Sequence, residues 1–377
     1  MKRRHRAPSS APRTRKAAFI ALLGLLTLIS VQAILASTIF PGQPAIAQGG
    51  RFAGQWLADF KAREDGKVQF TLRYEERSNN SVNSWSTSNG ISAEQLQGLT
   101  REQAMSAAGG QVRFQIKRDA GAFECEGWFR EGLGSGHFTF APNRGFASEL
   151  SKRGMGNPSD EQLFSLARAD AGVALLDELK SQGLEQPTLE QFVRMSEHGV
   201  RLDYLRGLKS LGARPRSIEM LLTMRDQGVS LSYIEGLRKY GYRTLSADEL
   251  IRARSRGVST SYLGMMTAEG YNNLSLDELI RLRDQGVSAS FVSALRAEGY
   301  PKLSMEELVR LRQQGVSASF IKELKLLGYQ TLPIEQLIRL RNSGVTPSFI
   351  RRVKDARGAT PTIDELIQMR NSGTRFE

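Results

Sequence analysis

One cysteine in 377 residues, Cys125, excludes an intramolecular disulfide framework and any cysteine-based metal site. It lies in an apolar, alternating run, the setting of a buried and inert thiol. Histidine is almost as scarce. His5, His137 and His198 stand far apart and make no metal-ligand spacing. No nucleophile stands beside His137 in a recognisable motif, and no motif calls for a cofactor. The chain therefore reads as non-enzymatic.

Long apolar runs are equally rare. Only Ala17 to Phe40 is nearly uninterrupted, with Gln32 its most polar member. Seven basic residues precede it (Lys2, Arg3, Arg4, Arg6, Arg13, Arg15 and Lys16), and Pro41-Gly42 and Ala45-Ile46-Ala47 follow. A basic start, an apolar core and an A-x-A site form a secretory signal. The core is also long enough to span a bilayer as an uncleaved anchor. Residues 1–47 are thus a signal peptide cleaved after Ala47, or a retained inner-membrane anchor through residues 17–40. Either way the remainder is exported to the periplasm or beyond, because the basic residues hold the cytoplasmic side. The formal net charge of +13 owes seven of its charges to this leader. The rest of the excess falls after Gly199, while the stretch between is slightly acidic.

From about Arg51 to Gly145 the periodicity is two. Val68, Phe70, Leu72 and Tyr74 alternate with polar residues, as do Val112, Phe114 and Ile116. Phe123, Cys125 and Phe129 share a face with Gly127, and Phe138 and Phe140 mark a further strand. This pattern predicts a small antiparallel β-rich domain. Ser92 to Gln95 matches a capping pattern, so a short helical insertion is expected there and over Thr100 to Ala108. Gly132, Gly134 and Gly136 suggest a phosphate loop, but a strand rather than a helix follows them, so the run reads as a hairpin turn.

The strongest pattern is internal. Gly199, Gly228, Gly257, Gly286, Gly315, Gly344 and Gly373 recur at one constant interval, the step from Gly199 to Gly228. Tyr204, Tyr233, Tyr262, Phe291, Phe320 and Phe349 keep the same phase, and so do Gly212, Gly241, Gly270, Gly299 and Gly328. Such a period is the signature of a solenoid. In the unit from Gly257 to Gln285, Ser259 is placed to cap a first helix that Gly270 ends. Ser275 to Glu278 forms a capping box that starts a second helix, ended by Gly286. Helices of two or three turns do not persist alone, so stability must come from stacking neighbours. The expected organisation is therefore multidomain: leader 1–47, β-rich domain 48–150, helical cap or linker 151–198, and an all-α repeat array 199–377. Gly172 lies two residues out of phase, which is why residues 151–198 read as a cap.

Two arginine columns run along the second helices. Arg252, Arg281, Arg310 and Arg339 each have an acid four residues earlier, predicting i, i+4 pairs within one helix. Arg225, Arg254, Arg283, Arg312, Arg341 and Arg370 have no such acid. They could cap their own helix ends, where a cation favours the macrodipole, or offer a row of guanidinium groups to an acidic partner. These six are the candidate partner-binding residues. The aromatic column reads as core packing.

Lys117 to Gly121, Glu126-Gly127, Gly134 to Phe138, Gln162 to Leu166 and the Gly-Val-Ser/Thr-x-Ser-Phe/Tyr-Ile repeats together resemble an accessory region. It is the β-plus-helical-repeat region that accompanies BlaR-type membrane metallopeptidases. The resemblance spans roughly residues 54–373 and implies an extracytoplasmic sensing or interaction region. This chain has no His-Glu-x-x-His, so the zinc chemistry of that family does not transfer. The reading that follows is an extracytoplasmic scaffold for a protein partner in the cell envelope, tied to the membrane if the leader is retained. The alternative is an envelope sensor whose β domain binds a cell-wall fragment or small ligand. Export argues against nucleic acid.

Overall fold

The computed structural model describes residues 52–78 and 81–373. The leader or anchor expected over residues 1–47 lies outside them. Among the described residues no helix is long and apolar enough to cross a membrane. The chain divides into two compact units, the first ending at Ala147 and the second beginning at Ser148.

The first unit is a six-stranded antiparallel sheet. Its strands are β1 (Ala53–Asp59), β2 (Val68–Ser78), β3 (Ser81–Ile91), β4 (Gly110–Arg118), β5 (Gly121–Arg130) and β6 (Leu133–Pro142), in the order β3-β2-β1-β6-β5-β4. Val68, Phe70 and Leu72 are buried on one face with Val112, Phe114, Ile116, Phe123, Cys125, Phe129, Phe138 and Phe140. The sheet curls strongly. The Phe70 and Phe114 rings sit 6.1 Å apart although β2 and β4 are four strands removed, a gap of about 19 Å in a flat sheet. Trp56 on central β1 fills the concavity, stacking on Phe70 and Phe129 at 5.9 and 5.4 Å.

Trp56 also explains the glycine run, and the hairpin expectation needs correction there. Only Gly132 lies in the β5–β6 turn, at φ +87°, whereas Gly134 and Gly136 are strand residues. The indole of Trp56 lies across β5 and β6 and donates Nε1–H to the carbonyls of Glu126 and His137, at 3.2 and 3.1 Å. A Cβ on Gly127 would lie 2.6 Å from its Cζ2, and one on Gly136 would drive into the Glu126 carbonyl. The glycines keep the two strands bare where the ring passes. Between β3 and β4, Ser92 and Thr100 cap the 3-10 turn Ala93–Gln95 and the helix Arg101–Met105, both as capping boxes.

The second unit is all helical beyond Ser148. Second helices run Ala247–Ser255, Leu276–Asp284, Met305–Gln313 and so on to Ile363–Asn371; first helices run Leu231–Lys239, Thr260–Ala268, Ala289–Ala297 and on to Pro347–Arg357. First helices pack on first helices and second on second, forming two layers. The register reaches further upstream than Gly199. Asp160–Arg168 and Val173–Ser181 stand one full repeat before Leu189–Glu197 and Leu202–Ser210. Asp170 occupies the glycine column there and takes the left-handed backbone itself, at φ +56°. Gly172 is the N-cap of Val173–Ser181, outside that column. Aspartate is one of the few residues that tolerate this conformation, so the repeat persists without its glycine.

Neighbouring repeats are pinned to one another by bonds of fixed span. The hydroxyls of Tyr204, Tyr233 and Tyr262 donate to the carbonyls of Val229, Val258 and Val287 at 2.8, 2.8 and 3.2 Å. Those of Tyr271, Tyr300 and Tyr329 donate to Leu303, Leu332 and Pro361 at 2.7, 2.7 and 2.6 Å. In the first-helix layer, Lys325 and Lys354 Nζ bond the carbonyls of Glu298 and Leu327 at the end of the preceding first helix. A cation from one repeat thus satisfies carbonyls that the helix before it leaves open.

Candidate functional site

The six candidate arginines occupy the last turn of the second helices. The helices that carry Arg225, Arg254, Arg283, Arg312 and Arg341 end by the same local mechanism. After Gln285, Gly286 takes φ +70°, and Val287 N–H returns to Leu282 C=O at 2.9 Å, burying the valine completely. This is the six-to-one bond of a glycine-terminated helix.

The structure brings each arginine over the aromatic residue of its own repeat. The guanidinium carbons of Arg225, Arg254 and Arg283 lie 4.8, 5.1 and 5.0 Å from the ring centroids of Tyr204, Tyr233 and Tyr262. Arg312, Arg341 and Arg370 stand 5.5, 5.0 and 5.5 Å over Phe291, Phe320 and Phe349. On the other side lies the column glycine that opens the same unit and follows the second helix before it. A Cβ on Gly257 would meet Arg283 Nη2 at 3.0 Å, and one on Gly315 would meet Arg341 Nη2 at 3.2 Å. Every rung is therefore a guanidinium held between a ring and a glycine turn, with attraction to the ring worth about 0.5–1 kcal/mol when partly exposed.

These cations are held without carboxylates. Arg225 spends its Nε–H on the His198 carbonyl at 3.0 Å. Among the described residues, Arg254, Arg283, Arg312, Arg341 and Arg370 make no ion pair. Arg283 Nε is buried with no acceptor. Arg254, Arg312, Arg341 and Arg370 remain exposed at the surface, while Arg225 and Arg283 are half-buried.

The neighbouring arginine column behaves differently, and not as its spacing predicts. Arg252, Arg310 and Arg339 pair with Asp277, Glu335 and Asp364 of the following repeat at 2.8, 2.7 and 2.7 Å, and Arg281 reaches Glu306 at 3.5 Å. The acid four residues earlier is claimed from outside its own repeat; Asp248, for example, pairs with Arg216. Stacked second helices bring the next first turn within reach of a long side chain, so the contact between helices wins. All these pairs are exposed, which limits each to about 0–1 kcal/mol.

The other residues noted in the sequence form no site. His137 is exposed on β6, and His198 Nδ1 contacts the Asp226 carboxylate. Cys125 is 2% exposed, and burial pushes its thiol well above the usual range. The described residues contain no cluster of His, Cys, Asp or Glu able to hold a metal. An open depression of about 420 Å³ lies between two repeats, lined by Leu211, Arg238, Arg243 and Leu245 among others. Sequence reasoning found both columns but not their union. The signal was the constant offset between ring and arginine, the same from Tyr204 to Arg225 as from Phe349 to Arg370. Comparison with family models, with curated proteins and with solved structures gives no match.

Proposed function

We propose that this protein is a non-enzymatic, extracytoplasmic scaffold that binds a protein partner of the cell envelope through its helical repeats. One observation carries the reading. Of two parallel arginine columns, one is neutralised by acids of the next repeat, while the other is braced on aromatic rings and left without carboxylates. A cation fixed in place, with most of its donors unspent, is prepared to meet an acidic group at little entropic cost. The export signal in the sequence and the resemblance to the accessory region of BlaR-type peptidases support the envelope setting.

Crosslinking mass spectrometry in the native cell tests this. The wild-type chain is compared with a variant carrying alanine in place of Arg254, Arg283, Arg312 and Arg341. Capture of a specific envelope protein that the variant loses supports the scaffold. A wild-type chain that captures nothing specific refutes it, and retention of every crosslink by a folded variant removes the ladder from the contact.

A further inference from the structure

The ladder's surroundings define what it fits. From Arg283 to Gly344, the ends of the second helices and the turns after them carry Arg283, Arg312 and Arg341 against a single acid, Asp284. That acid already faces Arg256 at 3.4 Å. Beside the arginines stand uncharged amides, Gln314, Asn342 and Asn371, all exposed, while the exposed Gln313 amide donates to Gln285 Oε1 at 2.7 Å. Stacked helices lie about 8–10 Å apart, which sets the spacing between successive rungs.

We propose that the ladder binds an extended acidic polypeptide segment with a carboxylate at every third residue. This deepens the scaffold reading and rests on it. An extended chain of the polyproline type has three residues per turn and rises about 3.1 Å per residue, so every third side chain lies on one side about 9 Å from the last. That falls within the range of about 8–10 Å expected between stacked helices. A β-strand repeats its face every second residue, at about 6.6–6.8 Å, and falls out of step. An acidic α-helix could match over seven residues, but its backbone groups are satisfied internally and would leave the amide row unused. The polyproline-type chain bonds none of its own N–H or C=O groups, and the glutamine and asparagine amides can take them.

The test uses the full chain and labelled synthetic peptides of about fifteen residues, enough to span five rungs. One peptide repeats Glu-Pro-Ala; the other has the same composition with its glutamates contiguous. Fluorescence anisotropy is measured over a salt series. The spaced peptide is expected to bind about tenfold more tightly, the combined effect of several exposed charge-assisted contacts. Replacing three rungs (Arg254→Gln, Arg312→Gln, Arg341→Gln) should remove that preference. Replacing three arginines of the paired column (Arg252→Gln, Arg281→Gln, Arg310→Gln) lowers net charge equally and should preserve it. Circular dichroism confirms that both variants fold. Equal binding of the two peptides, or equal loss in both variants, overturns the proposal and leaves general attraction between opposite charges. Binding of inorganic polyphosphate but of neither peptide overturns it too. Should the peptides fail while native crosslinks through the ladder persist, the every-third-residue ligand is wrong and the scaffold stands. Should crosslinks fail as well, the scaffold falls with it.

Discussion

Tyr233 offers a direct measurement of how tightly one repeat is coupled to the next. Its ring is 5% exposed, and its hydroxyl donates at 2.8 Å to the carbonyl of Val258, a residue with no exposure at all. Tyr233→Phe keeps the ring, and with it the stack beneath Arg254, but removes the hydroxyl. An ordinary hydrogen bond contributes about 1 kcal/mol net, and stranding a buried carbonyl raises the cost to about 1–2 kcal/mol. Phe320 supplies the reciprocal experiment. It sits in the same column at 4% exposure, and Val345 stands to it in the chain as Val258 stands to Tyr233. Phe320→Tyr should therefore gain up to about 1 kcal/mol. Urea unfolding followed by circular dichroism reads both changes, with an unchanged denaturant slope as the sign that only stability moved. The reasoning fails if Tyr233→Phe costs less than about 0.3 kcal/mol, below the range of a buried bond. It also fails if Phe320→Tyr destabilises, since the column would then not be equivalent along its length.

Three further outcomes are expected. Burial pushes the phenols of Tyr204, Tyr233 and Tyr262 up from 10.0 to about 12. The unfolded chain then loses those protons first, so stability should hold below pH 10 and fall as pH rises towards 12, which absorbance at the phenolate band and alkaline melts will check. Lys302 is exposed yet holds the left-handed backbone at φ +57°. Lys302→Gly should raise stability by about 0.5–1 kcal/mol in thermal unfolding, and a loss would show that its side chain is held by something other than solvent. Gly136→Ala should cost about 3 kcal/mol or more, because neither the Glu126 carbonyl nor the Gly127 backbone can retreat from a Cβ. Cys125 reports on it, its thiol reacting with a maleimide in the variant under conditions where the native chain protects it.

The repeat phase and the caps were legible because they are local. A serine or threonine with a glutamate three residues on declares a helix start by its own chemistry, as Ser246, Ser275 and Thr362 do. What lies between repeats was not legible from spacing within one helix. Arg281 has a suitable acid four residues back, yet pairs forward with Glu306, because the stacking distance of the helices is a tertiary property. The glycines of β6 were misjudged for a similar reason. Nothing adjacent to Gly134 or Gly136 in the chain announces that the Phe129 ring or the Glu126 carbonyl will lie against them. Polar β3 (Ser81–Ile91) has no apolar alternation to declare it, and it pairs along its whole length with β2. The candidate ladder was half legible. The arginine column was visible, but its support by the aromatic column required the fold.

The tyrosine, lysine and arginine bridges between repeats have one more property in common. Each reaches a partner only in the repeat beside its own, as Tyr233 does at Val258, Lys354 at Leu327 and Arg310 at Glu335. The donors vary from repeat to repeat, but the acceptors, backbone carbonyls and one carboxylate column, recur at the same phase, so excising or duplicating one whole repeat should leave each donor opposite an equivalent partner. The array can then change its reach by whole rungs without a compensating mutation anywhere else. Length becomes a property that recombination can adjust in a single event, and the extent of acidic ligand the protein can span would follow in steps of one rung.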